Sequence, residues 1–113
     1  MPGRYRIEVR IEIPNVDTRD YDFTQTLCLA SGALSRLGPL GPGPMRDCPR
    51  RVSEAEGSVT VEVICNGPNA GTATGHYTAS SDGFTGVVQM NMGGKNMTLI
   101  ERHRAERLGN CAD

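Results

Sequence analysis

Apolar and polar residues alternate along most of this chain. In "RYRIEVRIEIP", Tyr5, Ile7, Val9, Ile11 and Ile13 alternate with Arg4, Arg6, Glu8, Arg10 and Glu12. A period of two sends one set of side chains toward a core and the other toward water, so the segment predicts a strand. The charges on its wet face alternate in sign, which predicts cross-strand pairing in solvent. "YDFTQTLCLA" predicts a second strand, antiparallel to the first through a loop at Asn15–Arg19. It has Tyr21, Phe23, Leu27 and Leu29 on one face and Asp20, Asp22, Thr24, Thr26 and Cys28 on the other. "SGALSRL" predicts a short helical piece at Ser31–Leu37 with Ser31 as its cap. "GPLGPGP" then breaks all periodicity and reads as a solvated loop with polyproline character. A proline-motif ligand spanning Pro39 to Pro42 is the alternative use for it.

Strand patterns resume in the second half. "RRVSEAEG" predicts a short strand and "SVTVEVICNG" a strong one, with Val59, Val61, Val63 and Cys65 on one face. Asn66-Gly67 is a turn signal. "TATGHYTAS", "FTGVVQMNM" and "MTLIERHRAER" follow, separated by "SSDG" and "GGKN". Gly75 and Gly86 lie inside strand patterns, which predicts bends or close backbone approach. A loop at Gly93–Asn96 sets Met92 opposite Met97 and Met90 opposite Leu99. Turn signals recur about every ten to twelve residues, the mark of an antiparallel meander. The fold class is therefore all-β: about six to eight antiparallel strands forming a curved sheet or partly open barrel, one domain over 1–113. Its inner face is predicted to hold Ile7, Val9, Ile11, Phe23, Leu27, Val61, Val63, Tyr77, Phe84, Val88, Met90, Met92 and Leu99.

Composition changes this picture in one respect. Aromatics make up only 4% of the 113 residues, with no Trp, while there are 14 Gly and 7 Pro. So thin a core calls for covalent support. Cys28, Cys48, Cys65 and Cys111 lack the close spacing of a zinc site. They predict two disulfides, made in an oxidising compartment, rather than four buried thiols. Four cysteines allow three pairings. Cys28–Cys48, closing the Pro-rich loop, and Cys65–Cys111, pinning the C-terminus to a central strand, are the favoured ones. The chain opens on Met1-Pro2-Gly3 directly before a strand. With disulfides, this implies that a leader has been removed and that Met1 replaces it.

Net charge is −1, which calls for neither nucleic acid nor an anionic membrane surface. No apolar run has the length of a membrane span, and a monomer or weak dimer is expected. Three thioethers meet on one face of the predicted hairpin, so Met90, Met92 and Met97, with His76, form a candidate soft-metal set. Core filling is the expected use of those methionines. His76 and His103 read as surface residues, no nucleophile–base arrangement is visible, and no cofactor is indicated. Asn96-Met97-Thr98 fits a glycosylation acceptor. A curved sheet short of aromatic filler leaves room for a guest. The candidate ligand face is Phe23, Tyr77, Phe84, Met90 and Met92, and the expected function is a non-catalytic binding module for a small apolar molecule or a protein partner. Soft-metal handling and a small exported enzyme are the alternatives.

"PGRYRIEVRIEIP", "QTLCL", "DCP", "VICNGPNAGTATGHYTASSDGFTGVVQMNMGGKNMTL" and "RLGNC" together resemble the domain of unknown function 3617 family over nearly the whole chain. The four cysteines and the closing "RLGNC" are the most specific parts. Tyr5 stands where the family often has Trp, and the last strand is more charged than usual. The resemblance implies an exported bacterial protein, periplasmic or secreted, with a leader peptide.

Overall fold

The computed structural model describes residues 2–13, 22–29, 36–41, 48–65, 71–92 and 97–111, with the backbone alone at Met92 and Met97. Every predicted strand is present: β1 (Gly3–Glu12), β2 (Phe23–Leu29), β3 (Arg50–Ala55), β4 (Ser58–Cys65), β5 (Gly71–Ala79), β6 (Gly83–Met92) and β7 (Met97–Gly109). They form one antiparallel sheet in the order β2-β1-β7-β6-β5-β4-β3. β3 to β7 make a meander, and β1 enters between β2 and β7. β2 and β3 are left as edges, so the sheet is not closed. Of the predicted helical piece, residues 31–35 lie outside the described residues, and Arg36 alone shows 3-10 geometry. Among the described residues no helix is long and apolar enough to cross a membrane.

The alternating pattern dictates which face is buried. Along β1, Tyr5, Ile7 and Val9 are buried while Arg4, Arg6, Glu8 and Arg10 are exposed. Leu27, Val61, Val63, Tyr77, Phe84, Val88 and Met90 join the core, with Ile11, Phe23 and Leu99 packed against it. Each large side chain closed off in this way contributes roughly 1.5–3 kcal/mol. The outer face carries the predicted ion pairs, Arg6–Glu106 at 2.9 Å and Arg102–Glu12 at 3.1 Å. Both pairs are half exposed, and such pairs contribute little. The β6–β7 register is the one that the turn length predicts, with Met90 opposite Leu99 and Met92 opposite Met97.

Two predictions are corrected. The disulfides are Cys28–Cys111 and Cys48–Cys65, with Cα separations of 5.5 and 5.3 Å. The reason is register. β3 and β4 pair with Arg50 opposite Val63, and carrying that register two residues further places Cys48 opposite Cys65. The Ile64 N–H donating to Pro49 O at 3.3 Å marks the continuation. Likewise β1 lies between β2 and β7, with Arg4 paired to Cys28 on one side and to Gly109 on the other. That brings Cys28 and the end of the chain together.

The second correction concerns the Gly/Pro run. Leu37, Gly38, Pro39, Leu40 and Gly41 are all buried. They cross the concave face as a strap. A Cβ placed on Gly38 would lie 3.5 Å from Val61 on β4, and one on Gly41 would lie 3.5 Å from Ile11 on β1. Four strand spacings on a flat sheet measure about 19 Å. Three residues of extended chain reach only about 10 Å. The difference is made up by the 3.5 Å contacts at each end, by the reach of the Val61 and Ile11 side chains, and by curl of the sheet toward the strap.

Candidate functional site

The strap is held by polar side chains that the sequence pattern placed elsewhere. β7 alternates, and Leu99 leans inward, so Glu101, His103 and Ala105 follow it onto the inner face. Glu101 and His103 are each only 2% exposed, the buried polar and charged residues of the core. Tyr77 sits two strands away on β5, with Gly86 of β6 between it and His103. A Cβ at Gly86 would overlap the Tyr77 ring. Because that side chain is missing, the ring leans across β6 and its hydroxyl reaches His103. The close approach predicted for Gly86 is this one. Gly75 is similar, where an added Cβ would stand 3.0 Å from the Tyr77 ring.

The hydrogen bonds form a chain. The Gly38 N–H donates to Tyr77 Oη at 2.9 Å. Tyr77 Oη lies 3.0 Å from His103 Nδ1, and His103 Nε2 lies 2.8 Å from Glu101 Oε1. Assigning the tautomer from the network, the hydroxyl donates to Nδ1 and Nε2–H donates to the carboxylate, which gives each donor an acceptor. Leu40 N–H donates to Glu101 Oε1 at 3.0 Å and Gly41 N–H to Oε2 at 3.1 Å. From the β3 edge, Arg50 Nε donates to Leu37 O at 2.8 Å and Nη2 to Pro39 O at 2.9 Å. Among the described residues no buried side-chain nitrogen or oxygen lacks a partner. Such satisfaction is what makes a buried carboxylate tolerable.

Burial pushes Tyr77 well above the ordinary phenol range, and the charge of Glu101 adds to the rise. The Gly38 N–H and Arg50 oppose it. The phenol stays protonated, as a donor to His103 must. A hydroxyl, an imidazole and a carboxylate in series have the form of a proton relay. Here its ends are taken up by strap amides, so the relay meets a substrate only if the strap moves away.

The predicted site residues are distributed as follows. Tyr77, Phe84 and Met90 are closed in the core, and Phe23 is half-buried at the β2 edge opposite Val9. Tyr5 and Phe84 stack with ring centroids 5.0 Å apart, and Tyr77 meets Phe84 edge-on at 5.7 Å. His76 is exposed, as expected, and Thr60 Oγ1 lies 3.3 Å from its Nδ1. It points away from the face that holds Met90, so these two members of the soft-metal set do not meet. The side chains of Met92 and Met97, the acceptor Asn96 and Pro42 lie outside the described residues. His103 is not the surface residue predicted for it; it is buried because its parity on β7 is that of Leu99.

The strap leaves one end of the concave face open. There a cavity of about 350 Å³ lies between the β3–β4 turn and the β5–β6 turn. Tyr5, Val59 and Tyr77 form its floor, and Glu54, Ser58, Ser80, Ser81 and Arg107 form the rim. Small residues at Gly57 and Ala79 leave the space.

No curated protein and no solved structure matches the chain. The model of the family described as "Protein of unknown function (DUF3617)" matches residues 1–111. That match over nearly the full length shows that the chain belongs to this family.

Proposed function

We propose that this protein is a non-catalytic binding module of the periplasm or the extracellular space, whose guest is a small apolar molecule or a segment of a partner protein. The two disulfides support an oxidising location. The cavity at the open end of the concave face carries the binding reading. Its roughly 350 Å³ is at the small end of the range of ligand pockets. An aromatic and aliphatic floor with a hydroxyl, carboxylate and guanidinium rim suits a small guest with an apolar body and a polar end. Ala79 lines the cavity, and its side chain is exposed. Ala79→Trp should fill the space without disturbing the core. The test is native mass spectrometry of protein purified from an oxidising compartment, followed by titration of the co-purifying molecule. Binding to the wild type and its loss in Ala79→Trp support the reading. Equal binding by both, or no guest on either, contradicts it.

A further inference from the structure

We infer that the concave face beneath Leu37–Gly41 is a site for reading an extended peptide backbone, filled in cis by the protein's own strap and available to a partner's segment of the same chemistry when the strap swings out. The inference rests on the binding-module reading but concerns a different place from the cavity.

The occupant already in the site shows what the site recognises. Among the described residues five hydrogen bonds hold the strap, and these go to its main chain: amides of Gly38, Leu40 and Gly41, carbonyls of Leu37 and Pro39. Their partners are the side chains of Tyr77, Glu101 and Arg50, from three different strands. A pair of adjacent amides on one carboxylate and two alternate carbonyls on one guanidinium is recognition of backbone, indifferent to side-chain identity. Selectivity comes from fit. A Cβ at Gly41 would stand 2.9 Å from Glu101 Oε2, and one at Gly38 would stand 2.9 Å from Arg50 Nε. Gly38 also has φ +109°, a conformation that side chains disfavour. Leu37 and Leu40 supply the apolar anchors between them. The matching partner is therefore an extended segment with leucine-sized residues three apart and glycine beside each.

The chain is fixed in the sheet on both sides of the strap, at Leu29 of β2 and at Cys48, which is bonded to Cys65 of β4. Those two points stay in place when Leu37–Gly41 lifts, and a partner's free segment of the same chemistry is the guest.

The experiment uses the double variant Leu37→Ser with Leu40→Ser, which removes the anchors and keeps the two fixed points. The probe is a synthetic peptide of the sequence of residues 36–41, RLGPLG, followed by NMR. The expected result is saturable shifts in β4, β5 and β7, weakened about tenfold when Glu101→Gln is added, the loss of a charge-assisted hydrogen bond. No saturable binding to a folded variant at millimolar peptide, or binding that Glu101→Gln leaves unchanged, overturns the inference. Should the double variant not fold, amide exchange in the wild type decides. Strap amides that open more readily than those of β1 and β6 support a detachable strap; strap amides that exchange only with those strands overturn it. The cavity is tested separately with Ala79→Trp, so a failure here does not count against it.

Discussion

Gly86 decides whether Tyr77 can reach His103. An added methyl would overlap the Tyr77 ring, which is 1% exposed and is held at its hydroxyl by Gly38 and His103. Gly86→Ala should destabilise the protein by at least about 1–3 kcal/mol, the range of overpacked cores. Chemical denaturation measures it, and a neutral outcome would mean the ring is not held across β6. Tyr77 also makes a pH prediction. Its ordinary pKa is 10.0, and burial raises it in the folded protein. The unfolded chain therefore releases this proton first. The stability that Tyr77 contributes is complete below about pH 10 and is lost as pH rises toward the folded value. Denaturation between neutral and strongly alkaline pH should show that decline, and Tyr77→Phe should flatten it. An unchanged slope in Tyr77→Phe would contradict the assignment.

The strands were legible because a half-buried strand writes its faces into alternate residues, as β1 does from Tyr5 to Ile11. The β6–β7 register was legible because four turn residues fix it. Glu101 and His103 were legible in principle: Leu99 faces inward, and strict alternation carries the residues two and four further on to the same side. Their charge argued for solvent, and only partners distant in sequence make burial acceptable. The strap could not be read locally. Glycine and proline have no periodicity, and its amides are satisfied by side chains on β5 and β7 and its carbonyls by one on β3. The disulfides divide the same way. The two-residue turn at Glu56–Gly57 implies that Cys48 meets Cys65, whereas Cys28–Cys111 depends on β1 entering beside β7. Peptide mapping without reduction should recover these two pairs, and any other pairing refutes the sheet order at its edges. The bonds separate residues 17 and 83 apart, so removing them by Cys→Ala pairs should cost about 3 and about 4–5 kcal/mol. Unfolding midpoints that stay at the wild-type value in both pairs would contradict that contribution.

The described residues form one curled sheet that supplies its own second layer. Most single sheets bury a face against helices or another sheet. Here a five-residue strap and the three rings of Tyr5, Tyr77 and Phe84 fill the concavity, and the end they leave open is the cavity. Surface charge adds little: the outer-face arginines are paired or solvated and the net charge is −1. What holds the arrangement together is the agreement between a buried carboxylate and the amides that cross above it. Hydrogen exchange at Leu40 and Gly41 in the wild-type protein tests this most directly. If their amides are bonded to Glu101 beneath a buried strap, they should exchange at least about a hundredfold more slowly than an open glycine-proline loop. That protection should fall in Glu101→Gln, while β1 and β6 stay protected. Exchange at the rate of an exposed loop would show that the strap does not lie on the sheet.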